Sequence, residues 1–224
     1  MSTRTSGDEA RAERPLTALE VMSVGPFIPV ITIARVADAA PLATALVAGG
    51  VRVLEVTLRT PAALQSIREM VGVEAAIVGA GTVLNAADAE RAADAGARFL
   101  VSPGLTEPLA RAAADLGLPL LAGVATASDL MRGLDLGLAA FKFFPAESSG
   151  GTAALKALGG PFTGVRFCPT GGITEARAPD YLALPNVVCI GGAFATPESL
   201  IAAADWSGIT ERARRAAALT PSAA

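Results

Sequence analysis

The chain of 224 residues reads as an α/β protein of the (β/α)8 TIM-barrel class with an extra N-terminal helix. Three observations predict it. Eight short apolar runs recur roughly every 20–25 residues, each followed by an Ala/Leu/Arg-rich stretch with helical spacing of its apolar positions. The runs are hydrophobic on both faces, as strands of a parallel sheet covered by helices must be. Glycines stop most of the helical stretches, at Gly49-Gly50, Gly96, Gly117, Gly137 and Gly159-Gly160. Near-equal strand–helix units of this kind close into a barrel. An open doubly wound sheet is the alternative; the chain shows no reversal point and no GxGxxG after its first strand.

In chain order, a helix over 16–23 precedes the first strand, expected at 27–33, and its helix at 37–48, with Asp38 as cap and Pro41 in the first turn. The second strand is expected at 51–57, with a helix over 61–71 opened by Thr60-Pro61. Strands at 75–79 and 98–102 lead to helices at 86–95 and 106–116. Those at 119–122 and 139–144 lead to helices at 127–136, capped by Thr126 with Asp129, and at 152–158. The last two strands, 165–169 and 187–190, pair with helices at 175–182 and 205–219. Residues 1–15 carry mixed charge without an apolar segment, so they read as a tail rather than a secretory signal. Residues 16–224 then form one catalytic domain.

Composition narrows the chemistry. A net charge of −3 gives no reason to expect nucleic acid, and no apolar stretch has the length of a membrane span. Cys168 and Cys189 lie in apolar runs and read as buried free thiols of a cytoplasmic protein. Histidine is absent, which removes Ser-His-Asp and Cys-His sites and the usual His-bearing zinc centres. Lys, Glu, Asp, Arg, Thr and backbone amides remain.

Lysine is the informative residue. Of 18 basic residues only Lys142 and Lys156 are lysines. Attack on a carbonyl needs a neutral primary amine, which a guanidinium never offers and a desolvated lysine can. Lys142 stands among phenylalanines in Phe141-Lys142-Phe143-Phe144-Pro145. With Phe141 and Phe143 toward the helices, strand parity turns Lys142 and Phe144 into the barrel. The same parity in Val53-Leu54-Glu55-Val56-Thr57-Leu58-Arg59 turns Glu55 inward. The pair fits an amine nucleophile with a proton shuttle. The bland alternatives are a Lys142 whose head reaches water along an aromatic wall and a Glu55 ion-paired with Arg52 or Arg59. Lys156 sits near a helix end, where a cation suits the dipole on the surface.

Glycine turns collect at the C-terminal ends of the strands, the active face of such barrels. Thr170-Gly171-Gly172-Ile173 and Gly191-Gly192-Ala193 follow the last two strands, where backbone N–H groups can hold a phosphate; tight turns alone also demand glycine. Gly79-Ala80-Gly81-Thr82 and Ser102-Pro103-Gly104 read as further turns at that mouth, with Thr82 as the cap of the helix beginning near Ala86.

The segments GGVRVLEVTLRT (49–60), IVGAGTVLN (77–85), SPGLTEP (102–108), FKFFPAE (141–147), VRFCPTGGI (165–173) and CIGG (189–192) together resemble the class I aldolases that cleave 2-keto-3-deoxy-6-phosphogluconate (KDPG), including members that cleave 4-hydroxy-2-oxoglutarate (KHG). The resemblance implies Lys142 as Schiff-base lysine and Glu55 as general acid/base. It implies Arg59 and Thr82 at the pyruvyl carboxylate, with Pro103 and Phe144 shaping the pocket. Thr170, Gly171, Gly172, Gly191 and Gly192 would line the phosphate end. It also implies a keto-acid substrate, a place in Entner–Doudoroff carbohydrate metabolism, a homotrimer, and neither metal nor cofactor. Two positions depart from the pattern: Ala193 and Ala125 stand where the family often has serine, making the mouth less polar. KHG cleavage is the near alternative. A phosphosugar epimerase or isomerase, or a non-catalytic phosphate-binding barrel, are the alternatives of a different class.

Overall fold

The structure, a computed structural model, describes residues 15–221; the expected tail, Pro15 apart, lies outside them. Eight parallel strands form one sheet: β1 (Phe27–Ile31), β2 (Val53–Thr57), β3 (Ile77–Gly81), β4 (Leu100–Val101), β5 (Leu120–Val124), β6 (Ala140–Phe143), β7 (Arg166–Pro169) and β8 (Ile190–Gly192). Consecutive strands pair in order and β1 also pairs with β8. Isolated parallel bridges Phe167–Val187 and Thr170–Gly191 join β7 to β8, so the sheet closes into the expected barrel.

Helices α2 (Ala39–Ala48), α3 (Ala63–Met70), α4 (Ala86–Asp94), α5 (Glu107–Asp115), α6 (Ala127–Asp135), α7 (Gly151–Gly159), α8 (Ala178–Leu182) and α10 (Trp206–Ala217) follow the successive strands. A short helix α9 (Glu198–Ala202), not foreseen in the sequence, intervenes before α10. Strand alternation divides the core in two. Leu54, Val56, Phe141 and Phe143 pack outward among the helices, while Ile28, Val53, Phe99, Leu121, Ala140, Cys168 and Cys189 fill the barrel. The predicted N-terminal helix, α1 (Ala18–Met22), closes the barrel's N-terminal end by inserting Val21 and Met22 into that inner cluster. A Thr17–Glu20 capping box starts it.

Several local expectations change. The Thr126–Asp129 cap of α6 forms as read. Asp38 makes no cap; its carboxylate is held by Arg35. The Thr60-Pro61 opening gives way to a start at Ala63. Gly79 and Gly81 belong to β3, and Gly191 and Gly192 to β8, so these glycines are strand residues rather than turn residues. No helix among the described residues is long and apolar enough to cross a membrane.

Candidate active site

Lys142 and Glu55 meet inside the barrel. Nζ of Lys142 donates to Oε1 of Glu55 at 3.3 Å, and the two residues are only 4% and 3% exposed. The reading of Lys142 as a lysine reaching solvent is thereby overturned. So is the arginine pairing of Glu55: Arg52 donates to the Ala75 carbonyl, and Arg59 to Thr82. Parity carries this result, because every second residue of β2 and β6 faces inward. Removing one partner of such a buried pair would leave the other charge uncompensated.

Space for the pair comes from missing side chains. A Cβ on Gly81 would collide with the carboxylate of Glu55, and one on Gly191 with the hydroxyl of Thr170. Glycine in a strand interior is otherwise unfavourable, so these two mark a close approach. The ring of Phe144 lies 5.0 Å from Nζ, within cation–π range, just past the end of β6. Pro103 sits above β5, its backbone passing so near Gly123 that no Cβ would fit there.

The rim carries Arg59 and Thr82. Arg59 lies two residues beyond β2 and donates from Nε to the Thr82 hydroxyl at 3.1 Å. Thr82 does not cap α4; Asn85 does, accepting from the Asp88 N–H. Instead Thr82 holds a left-handed backbone with φ of 59°, a strained state for a β-branched residue.

Thr170 is buried, and Gly171 and Gly172 after it have φ of 107° and 79°, conformations that glycine alone adopts cheaply. This loop is clamped from below. The N–H groups of Ala146 and Glu147 donate to the carbonyls of Thr170 and Gly171 at 2.8 and 3.1 Å. The Glu147 carboxylate accepts from Tyr181 at 2.6 Å and from Arg177 at 3.1 Å. Burial, and then the Glu147 carboxylate, push the Tyr181 phenol above its ordinary value, so it remains a donor throughout the neutral range. The sequence reading missed this clamp. Its available signals were Glu147 at the end of FKFFPAE and the chain's single tyrosine.

Cys168 and Cys189 are free, buried thiols. Cys168 pairs in register with Lys142 on the neighbouring strand. Burial and the neighbouring Cys168 push the Cys189 thiol up, away from the thiolate. No group of three or more Cys, Asp or Glu among the described residues is placed to hold a metal ion.

The chain is 53% identical over 201 residues to the KHG/KDPG aldolase of Escherichia coli K12, covering 89% of this chain and 94% of that protein. It superposes with a TM-score of 0.88 on the 2-keto-3-deoxy-6-phosphogluconate aldolase of Zymomonas mobilis ZM4 solved with 3-phosphoglycerate, at 51% identity and with 91% and 96% coverage. The TM-score is also 0.88 against the KDPG aldolase of Legionella pneumophila, solved with pyruvate captured at low pH as a covalent carbinolamine intermediate, at 45% identity and with 91% and 99% coverage. The family model for KDPG and KHG aldolase matches residues 19–212, and the chain belongs to that family.

Proposed function

We propose that the protein is a class I aldolase that cleaves KDPG to pyruvate and glyceraldehyde 3-phosphate, with Lys142 as the nucleophile and Glu55 as the proton shuttle. The observation that carries this reading is the buried 3.3 Å contact between Nζ and Oε1 at the active end of the barrel. The amine attacks the C2 carbonyl of the keto acid, and Glu55 moves protons as the carbinolamine loses water to the iminium. The carboxylate then takes the C4 hydroxyl proton. Electrons of the C3–C4 bond flow into the iminium, the aldehyde leaves, and the enamine is protonated and hydrolysed to pyruvate.

The remaining roles are those the resemblance implies, and their place at the barrel mouth supports them. Arg59 with Thr82 receives the substrate carboxylate, and Phe144 and Pro103 bound the pocket. The N–H groups around Gly171, Gly172, Gly191 and Gly192, with Thr170 beside them, take the phosphate. The Legionella relative's covalent pyruvate supports the Schiff-base route. KHG cleavage by the same residues is the second reading, supported by the joint name of the Escherichia coli relative. Assembly as a cytoplasmic homotrimer belongs to the same proposal, and sedimentation would measure it. Incubation with pyruvate and borohydride, followed by peptide mass spectrometry, tests the centre. A reduced pyruvyl adduct on Lys142 is expected; an unmodified Lys142 overturns the assignment. The ratio of kcat/KM for KDPG and KHG then ranks the two substrates.

A further inference from the structure

The proposed phosphate end is made of backbone, so its donors are only as good as the loop that aims them. Ala193 adds no hydroxyl there, which leaves more of the task to the N–H groups of Gly171 and Gly172. A trans peptide points its N–H opposite its carbonyl, and the only cis bond among the described residues is Phe144-Pro145. The carbonyls of Thr170 and Gly171 are tied to the N–H groups of Ala146 and Glu147 at 2.8 and 3.1 Å. The N–H groups of Gly171 and Gly172 therefore face away from residues 146–147, and a shift of that segment would turn them.

A side chain holds that segment. Cγ of Glu147 lies 2.9 Å from where a Cβ on Gly172 would stand, so its stem fills the space that the glycine leaves. Its carboxylate reaches α8, accepting from the Tyr181 hydroxyl at 2.6 Å and from Arg177 at 3.1 Å. Arg177 is 47% exposed at its side chain and also engages Asp180 at 3.3 Å, whereas Tyr181 is fully buried. An exposed ion pair contributes little, and a buried hydroxyl donating to a carboxylate contributes more, so Tyr181 is the main anchor. The anchor joins three pieces: the turn after β6, which carries Lys142, the loop after β7, and the helix that follows that loop. We propose that Glu147 is a positioning residue that acts through the Gly171-Gly172 loop. Held by Tyr181, it sets that loop against the strand of Lys142 and so determines how strongly the enzyme prefers a phosphorylated keto acid. The inference rests on the aldolase reading above.

Tyr181→Phe deletes only the hydroxyl and keeps the ring in the core, while Glu147 retains Arg177. Glu147→Ala removes the whole anchor. The readout is the ratio of kcat/KM for KDPG to that for KHG, which carries no phosphate. Each variant is expected to lower that ratio about tenfold, the scale of one lost hydrogen bond to a charged group, with the loss in KM for KDPG rather than in kcat. Glu147→Gln keeps an oxygen for the Tyr181 hydroxyl and is expected to retain most of the ratio. An unchanged ratio in both Tyr181→Phe and Glu147→Ala, or equal losses on KDPG and KHG, overturns the positioning role. The borohydride-trapped pyruvate adduct separates the two levels. A normal wild-type adduct with an unchanged ratio in the variants removes only the role of Glu147, and a missing wild-type adduct removes the aldolase reading and the inference with it.

Discussion

The two ends of the barrel interior are built on opposite principles. Toward the N-terminal end, Ile28, Val53, Phe99, Leu121 and Ala140 fill the space with apolar side chains, and Val21 and Met22 of α1 seal it. Toward the C-terminal end, Glu55, Lys142 and Thr170 are buried polar groups, and glycines stand where they would otherwise collide. The same strands supply both layers, only two residues apart: Val53 and Glu55 on β2, Ala140 and Lys142 on β6. Stability is concentrated in the first layer and chemistry in the second. The apolar floor makes the charged layer tolerable, because it fixes the strands whose parity aims the pair.

Substitutions can break or sharpen that division. The largest effect belongs to Lys142→Arg, which keeps a cation beside Glu55 but removes the amine proposed to attack the substrate. Turnover should fall by at least about 10⁴-fold, the scale of losing a covalent nucleophile, while circular dichroism shows a folded barrel. Glu55→Gln should lower kcat by roughly 10²–10⁴-fold, the range of general acid–base catalysis, with slower formation of the pyruvate adduct in quenched time courses. Gly81 takes no part in the proposed reaction itself, yet a methyl added there meets the Glu55 carboxylate. Denaturant titration should show a loss of about 1–3 kcal/mol, accompanied by a drop in kcat. The smallest effect is Ile28→Val in the floor. It should cost roughly 0.5–1.5 kcal/mol of stability and leave kcat within about twofold. A floor variant that lowered kcat as strongly as Gly81→Ala would show that the two layers are not separable.

Much of this was legible in the sequence because a parallel strand has a strict period of two. Once FKFF and VLEVT were read as strands, the inward positions of Lys142 and Glu55 followed, and both lie buried and in contact. Glycine was the ambiguous letter. Gly81 and Gly191 looked like turns, since the need for a turn and the need for space write the same residue. Thr82 looked like a cap, but Asn85 lies nearer the helix start and accepts the Asp88 N–H. Helix α9 was missed because a five-residue helix shows little periodicity. The Glu147–Tyr181 bond joins residues 34 apart, and no local pattern encodes a contact of that kind.

The seal made by α1 also sets an order of traffic. With the N-terminal end of the barrel filled, every molecule enters and leaves by the mouth. In the proposed reaction a pyruvyl unit bonded to Lys142 would lie at the bottom of this well, beneath whatever occupies the rim. In the proposed reaction the aldehyde therefore departs first and pyruvate last, and the reverse condensation must begin with pyruvate. One blocked end turns a symmetrical tube into a queue.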